Sequence, residues 1–477
     1  MSYPDARRQG LVEALRSQNG NSPQLDRLAR PGTVAVVTGQ QVGLFGGPAY
    51  TIYKALTAAR IARDLNALGI SAVPVFWLAT EDHDFEEVSR CWVFDGQYRA
   101  VSLDVAAPEP DHRPVGTIAI AEPPVAAVRE SFAEFPFGAE ISDAVARTYT
   151  RGSQMGGAFR GLMAELLSSY GLLFLDPLAP AVRQMSAPLL AEAARNAGDL
   201  NARLTVRNQS LADAGYHAQV HVEAETSLLF LLEGEHRVPI RRNGDGFQAA
   251  KSRISVADLV SQAESLSPNA LLRPVLQDYL LPTVAYVGGP AELAYLAQAE
   301  VIYERLLGRM PVVFSRAGFT IAGARSEKLC TKYGLTLPQM YEGEDVIRNH
   351  ISARLVPPDL KKLQNKATES IAQSVAELES ATAAFDPTLG AAAAASGRKM
   401  RHQLEKIRAK TARESLRRDT RAASDAAYLA ALFSPHGHLQ ERFYSILPFL
   451  ALHGPDLIEK LYEAIHTDCP DHHVLYV

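Results

Sequence analysis

Residues 33–84 read TVAVVTGQQVGLFGGPAYTIYKALTAARIARDLNALGISAVPVFWLATEDHD. The opening TVAVVT (33–38) is a β-branched apolar run, the pattern of a strand buried on both faces. A polar, glycine-rich loop follows at 39–48. Ile52, Leu56, Ile61 and Leu65 then keep roughly helical spacing, and Gly69 supplies a C-terminal stop. AVPVFWLAT (72–80) is a second buried strand, and it runs straight into Glu81, Asp82, His83 and Asp84. Strand, loop, helix, strand makes a βαβ unit, and such crossovers are almost always right-handed and parallel. The fold class is α/β, on a parallel sheet.

The pattern returns far along the chain. TVAYV (283–287) is a third strand, followed by Gly288, Gly289 and Pro290, a helix from about 291 to 307, and a fourth strand MPVVFS at 310–315. Both halves put a glycine turn at the carboxyl end of a parallel strand, the edge where ligands bind in open α/β sheets. About 190 residues separate them. Within this insertion, 90–120 reads as a hairpin region, and 137–170 and 179–214 as mainly helical with a short strand in GLLFLDP between them. The stretches 217–232 and 237–248 read as strands, with NGDG at 243–246 as a strong hairpin signal. From 358 the composition turns to Ala, Lys, Glu, Arg and Gln. Ile371, Val375, Leu378, Thr382 and Phe385 alternate four- and three-residue steps, a short coiled-coil seam. Residues 386–390 break it before a second helix runs to about 431, an αα-hairpin. The expected organisation is a first core half (1–90), a mixed insertion (91–280), a second core half (281–357), a helical hairpin (358–433) and a C-terminal segment (434–477) that packs back on the core.

The chain has 477 residues, so a prior of about 150 residues per domain gives roughly three. Hydrophobic residues make up 47% and charged residues 21%, which excludes a mostly disordered or collagen-like chain. Lys and Arg number 48 against 53 Asp and Glu, a net charge of -5 without the basic excess expected of a nucleic-acid binder. Cys91, Cys330 and Cys469 stand far apart, which argues against a disulfide framework or structural zinc and for a reducing cytoplasm. No signal peptide is visible, and no apolar run approaches the ~18 residues that span a bilayer.

The loop at 39–48 offers Gly39, Gln40, Gln41, Gly43, Gly46 and Gly47 at a strand mouth directly before a helical stretch, AYTIYKAL, that carries Tyr50. Backbone N–H groups and the positive helix end there suit a phosphate. The loop matches neither GxxxxGK[ST] nor GxGxxG, and a tight turn needing glycine for geometry alone explains it too. Glu81, Asp82, His83 and Asp84 could orient a general base, grip an ammonium group or bind a divalent cation, although neighbours on an extended chain cannot all converge. A solvated acidic loop is the plainer alternative, and no tightly bound metal is expected. Gly288, Gly289 and Glu292 mirror the first loop, with Glu292 in a first helical turn that favours carboxylates anyway. Arg316 follows the fourth strand and could meet an anionic substrate group. None of the cysteines has an activating context.

TGQQVGLFGGPAYTIYKAL (38–56), PVFWLATEDHDFEEV (74–88), LRPVLQDYLLPTVAYVGGPAELAYLAQ (272–298) and LQERFYSILPFL (439–450) together resemble the bacillithiol-biosynthesis cysteine-adding enzymes. The resemblance implies a Rossmann-like core of the class I aminoacyl-tRNA synthetase and nucleotidylyltransferase type. It further implies connecting-peptide insertions and an antiparallel coiled coil that forms a homodimer. It implies a ligase that joins cysteine to the glucosamine amine of glucosaminyl malate, with ATP or another nucleotide, and Mg²⁺ with it, activating the cysteine carboxylate. No HIGH or KMSKS sequence is present. On this expectation Gly39, Gln40, Gln41, Gly43, Gly46, Gly47 and Tyr50 bind the nucleotide. Asp82, His83 and Asp84 are catalytic, with an aspartate holding the cysteine ammonium or Mg²⁺ and His83 assisting deprotonation of the amine. Glu81, Gly288, Gly289, Glu292 and Arg316 bind substrate, Arg316 pairing with malate. A nucleotidyltransferase acting on another small acid and a non-enzymatic coiled-coil scaffold stay open as other readings.

Overall fold

The computed structural model describes residues 3–106, 112–250, 252–469 and 471–477. The chain divides into two compact units. One comprises Met1–Gln97, Val101–Phe319 and Tyr444–Leu475, the other Tyr98–Ala100, Thr320–Phe443 and Tyr476–Val477.

The first unit is built on five parallel strands: β1 (Val34–Gln40), β2 (Ala72–Leu78), β3 (Leu173–Leu175), β4 (Thr283–Gly288) and β5 (Val312–Ser315). They lie in the order β5-β4-β1-β2-β3. The chain fills one side of β1 first and returns, more than 200 residues later, to fill the other. The crevice outside the carboxyl ends of β1 and β4 is therefore the topological switch point, where ligands bind in such sheets. β1 is buried on both faces. Ala35 and Val37 join the larger apolar core with Trp77 and Leu175, and Val36 meets Ala58, Ile61 and Ala62 on the other side. Those three lie on α1 (Tyr50–Ala67), which links β1 to β2. A Schellman closure ends α1: Gly69 at φ +82°, its N–H donating to Asn66 O at 3.1 Å, and Ile70 N donating to Leu65 O at 2.9 Å.

GLLFLDP was expected to belong to the insertion, yet Val75, Phe76 and Trp77 pair with its Leu173, Phe174 and Leu175 at the edge of the core sheet. Three residues carry too little periodicity to announce a core strand. The rest of the insertion supplies helices and an antiparallel sheet in the order Leu266–Pro268, Thr226–Glu233, His236–Asn243, Gly246–Ala249, Ser252–Ile254. The NGDG hairpin closes as read, with Asn243 opposite Gly246. The strand expected from 217 begins only at Thr226.

In the first unit β4 leads into α2 (Pro290–Leu306). In the second unit, α3 (Pro358–Phe385) and α4 (Pro387–Arg418) form the hairpin. Asp386 caps α4 by accepting from Thr388 N at 2.7 Å. The second helix was expected to run on to about 431. It stops at Arg418, and Asp419 caps a separate helix, α5 (Thr420–Phe433), by accepting from Ala422 N at 2.9 Å. The expected seam also differs. Val375 is buried, but Leu378 is 54% and Phe385 85% exposed. The two helices cross instead through glycine: a Cβ on Gly397 would collide with the Val375 side chain, and one on Gly390 with Ala383. Among the described residues no helix is long and apolar enough to cross a membrane.

Candidate active site

The first turns of α1 are buried all round, Thr51 to Ala59 without a break. One of these residues is Lys54, 1% exposed. A charge there must be paired, and every Lys54 proton is. Its Nζ donates to the Gly39 carbonyl, to Gln40 Oε1 at 3.0 Å and to Glu292 Oε2 at 2.6 Å. Glu292 sits in the first turn of α2, where Gly289 N also donates to Oε2 at 2.8 Å. On its other oxygen it accepts from Tyr286 OH at 2.6 Å, and Arg273 donates to Tyr295 OH at 2.6 Å beside it. Burial pushes the Glu292 carboxyl up, but the Lys54 ammonium and the Gly289 amide overcome it and hold it below the usual range. The pair thus ties the carboxyl end of β1 to that of β4. Arg316 closes the same side. Its backbone N donates to Gly288 O at 2.9 Å, and its guanidinium carbon lies 5.1 Å from the centre of the Tyr50 ring, whose hydroxyl accepts from Gln40 Nε2 at 3.3 Å.

The next residue turns to β2. Gln41 Nε2 donates to Asp82 Oδ2 at 2.8 Å and to Glu87 at 2.7 Å. Asp82 Oδ1 accepts from His83 N at 2.7 Å. Arg237, the second residue of its strand in the accessory sheet, reaches His83 Nδ1 at 3.0 Å. It is anchored by Ser267 Oγ at 3.1 Å and Pro268 O at 2.7 Å, with the Phe230 ring 3.9 Å from its guanidinium carbon. Burial first, and then the Arg237 charge, hold His83 below its ordinary 6.5.

Consecutive glutamines therefore join two clusters. Gly39, Gln40, Tyr50, Gly288, Gly289, Glu292 and Arg316 surround Lys54, and Gln41, Asp82 and His83 meet at the end of β2. Other expected residues stand apart. Glu81 points into the core as the partner of Arg183, which also donates to the carbonyls of Glu264 and Leu266. Asp84 is exposed and caps the short helix Phe85–Val88, accepting from Glu87 N at 3.2 Å. The amides of Gly43, Gly46 and Gly47 close the loop on itself, donating to Gln41 O, Gly43 O and Leu44 O at 2.9, 3.2 and 3.0 Å. Gly46 and Gly47 adopt φ of +87° and +68°, so the turn itself demands glycine. Leu44 and Phe45 are buried beneath it, Phe45 edge-on to Tyr149 at 4.8 Å. Cys91 is buried, and burial pushes its thiol up to about 12, far from a reactive thiolate.

Sequence reasoning missed Lys54, Arg183, Arg237, Arg273, Tyr286 and Tyr295. Lys54 did leave a signal, as the one charged residue in the first half of its helix, 50–59. Among the described residues no group of three or more His, Cys, Asp or Glu side chains could hold a metal ion.

Comparison with known proteins agrees with this architecture. The family model described as "Bacillithiol biosynthesis BshC, N-terminal Rossmann-like domain" matches residues 2–317. The one described as "Bacillithiol biosynthesis BshC, C-terminal coiled-coil domain" matches 319–477. Three relatives carry the name "Putative cysteine ligase BshC". That of Solibacter usitatus is 50% identical over 477 residues, covering 100% of this chain and 91% of its own. That of Koribacter versatilis is 36% identical over 488 residues, covering 100% and 91%. That of Salinibacter ruber is 32% identical over 483 residues, covering 98% and 86%. With a parallel core whose polar strand ends meet at the switch point, a helical hairpin in the second unit, and both family models matched end to end, the chain belongs to the BshC family of bacillithiol-biosynthesis cysteine ligases.

Proposed function

We propose that this ligase joins L-cysteine to the glucosamine amine of glucosaminyl malate, giving bacillithiol, and that ATP activates the cysteine carboxylate. The observation that carries the reading is the meeting of Gln40 and Gln41, Asp82 and His83, and Gly289, Glu292 and Arg316 at the carboxyl edge of one parallel sheet. An amine does not displace oxide from a carboxylate, so the carboxylate oxygen must first be made a leaving group. Transfer of AMP to it releases pyrophosphate; the amine then attacks the acyl carbon, loses a proton, and expels AMP as the amide forms. Asp82 is suited to the cysteine ammonium, because it is half-exposed and its neighbours Gln41 and His83 N already orient it. Arg316 is suited to a malate carboxylate by its charge, with Nη1 held by Ala317 O at 2.9 Å and the guanidinium beside Tyr50. The turn amides of Gly43, Gly46 and Gly47 are engaged within the loop, so phosphate contacts would come from the side chains of Gln40, Gln41 and Tyr50. Mg²⁺ would accompany the triphosphate. The hairpin would serve homodimerisation.

The test is a mass-spectrometric end-point assay with cysteine, glucosaminyl malate, ATP and Mg²⁺, each omitted in turn. The expected result is bacillithiol with AMP only in the complete mixture. ADP in place of AMP would replace the adenylate with an acyl phosphate, and bacillithiol formed without nucleotide would overturn the activation scheme.

A further inference from the structure

We propose that Arg237 is a positioning residue that selects the tautomer of His83, making its ring a hydrogen-bond donor through Nε2 and not a proton acceptor. The role of that donor in catalysis rests on the reaction proposed above; the tautomer does not. A guanidinium has five N–H donors and no acceptor. Its approach to His83 Nδ1 at 3.0 Å is a hydrogen bond only if Nδ1 carries the lone pair. The one hydrogen of the neutral ring then sits on Nε2. Arg237 cannot easily turn away, since its other nitrogens are held by Ser267 and Pro268 and its plane lies on Phe230.

Asp82 defines the alternative. Its Oδ1 lies 3.8 Å from His83 Nδ1 and 3.9 Å from Arg237 Nη1. Without the arginine, the carboxylate would draw a proton onto Nδ1 and leave Nε2 as a base, the carboxylate–histidine arrangement of many hydrolases. With it, the guanidinium, which feels the Glu81 carboxylate first and Asp82 second, occupies Nδ1 and offsets the aspartate. The other groups facing the ring are His112, its centroid 5.5 Å away, and the Asp84 carboxylate, while Phe230 covers it at 5.5 Å. Only the two aspartates favour a charged ring; burial, Arg237 and His112 oppose it. The expectation that His83 deprotonates the attacking amine is thereby replaced. In the proposed reaction the ring would donate to an oxygen, the acyl oxygen or the phosphate being displaced, and the amine proton would leave to another acceptor.

The experiment is ¹⁵N nuclear magnetic resonance of the full-length protein labelled at histidine, with His83 assigned by its loss in His83→Gln. The expected wild-type signal is that of the Nε2–H tautomer, taking up a second proton only below pH 6.5. In Arg237→Met the midpoint should rise and Nδ1 should become the protonated nitrogen. Arg237→Lys, which can still donate, should restore the wild-type tautomer. In the ligation assay His83→Gln, whose amide N–H falls near Nε2, should keep activity within about tenfold, and His83→Ala should lose far more. An Nδ1–H signal in the wild type, or an unchanged titration in Arg237→Met, overturns the proposal. Failure of the ligation assay with the tautomer as expected would sink only the reaction.

Discussion

The site is decided by single buried charges. Lys54 and Glu292 are separated by 238 positions, yet each is the other's counterion. Removing one partner strands a charge in a dry site. Lys54→Met should therefore lower stability by about 3–5 kcal/mol, read as a drop in urea midpoint at constant slope. The double variant Lys54→Met/Glu292→Met should recover most of that loss, since apolar replacement of a whole buried pair is often neutral. A loss below about 1 kcal/mol in the single variant would mean that water reaches the pair. The partnership itself was not legible in the sequence: Glu292 was a candidate through its glycine turn and Lys54 stood alone in an apolar stretch, but nothing joined the two. The same holds for Glu81. Its place beside Asp82 and His83 suggested a shared site, but the chain turns between them, so Glu81 faces Arg183 in the core and His83 faces Arg237. Adjacent residues that leave a strand end diverge, and only the fold tells which way each goes.

Elements were far easier to read than their partners. β1, α1, β2, β4 and α2 appear within a few residues of where apolar periodicity and glycine stops put them, because each buries a long face and ends at a recognisable signal. The short β3 and the start of the strand Thr226–Glu233 were not readable to that accuracy. The hairpin is the instructive case. Its heptad pattern is real, but spacing alone does not say which stripe meets the partner helix. Glycine decides that here, because Gly390 and Gly397 let α3 and α4 approach more closely than any side chain permits. Gly397→Val should cost about 1–3 kcal/mol through overpacking against Val375 and lower the thermal midpoint of the helical signal by circular dichroism. Val375→Ala in the same chain should return part of it. If Gly397→Val melts with the wild type, the crossing is looser than this packing requires.

At the scale of the molecule, the strand order explains why sequence-distant halves form one site: β4 docks beside β1, and every ligand-facing loop then opens on one edge. The same scale raises the question of what covers α3. Ile371, Leu378 and Phe385 are each seven residues apart, the repeat of an a or d stripe. The last two are 54% and 85% exposed, and Leu363 and Ile407 add 63% and 55% on the same hairpin. Exposed apolar stripes of this kind mark association surfaces. A monomer would carry Leu378 and Phe385 in water for no gain, whereas a second copy offers the same stripe and lets the heptads interdigitate. Light scattering coupled to gel filtration should therefore report about twice the 51.8 kDa chain mass. Leu378→Glu with Phe385→Glu should return the mass to that of one chain, since carboxylates facing each other across a seam repel and desolvate at a loss. The helical signal per residue should not change, because neither side chain is buried within its own hairpin. A wild-type protein that runs as a single chain at micromolar concentration would remove the dimer and leave the stripe to be covered by something else. A double variant that stays dimeric would move the interface off this stripe and onto another face of the hairpin.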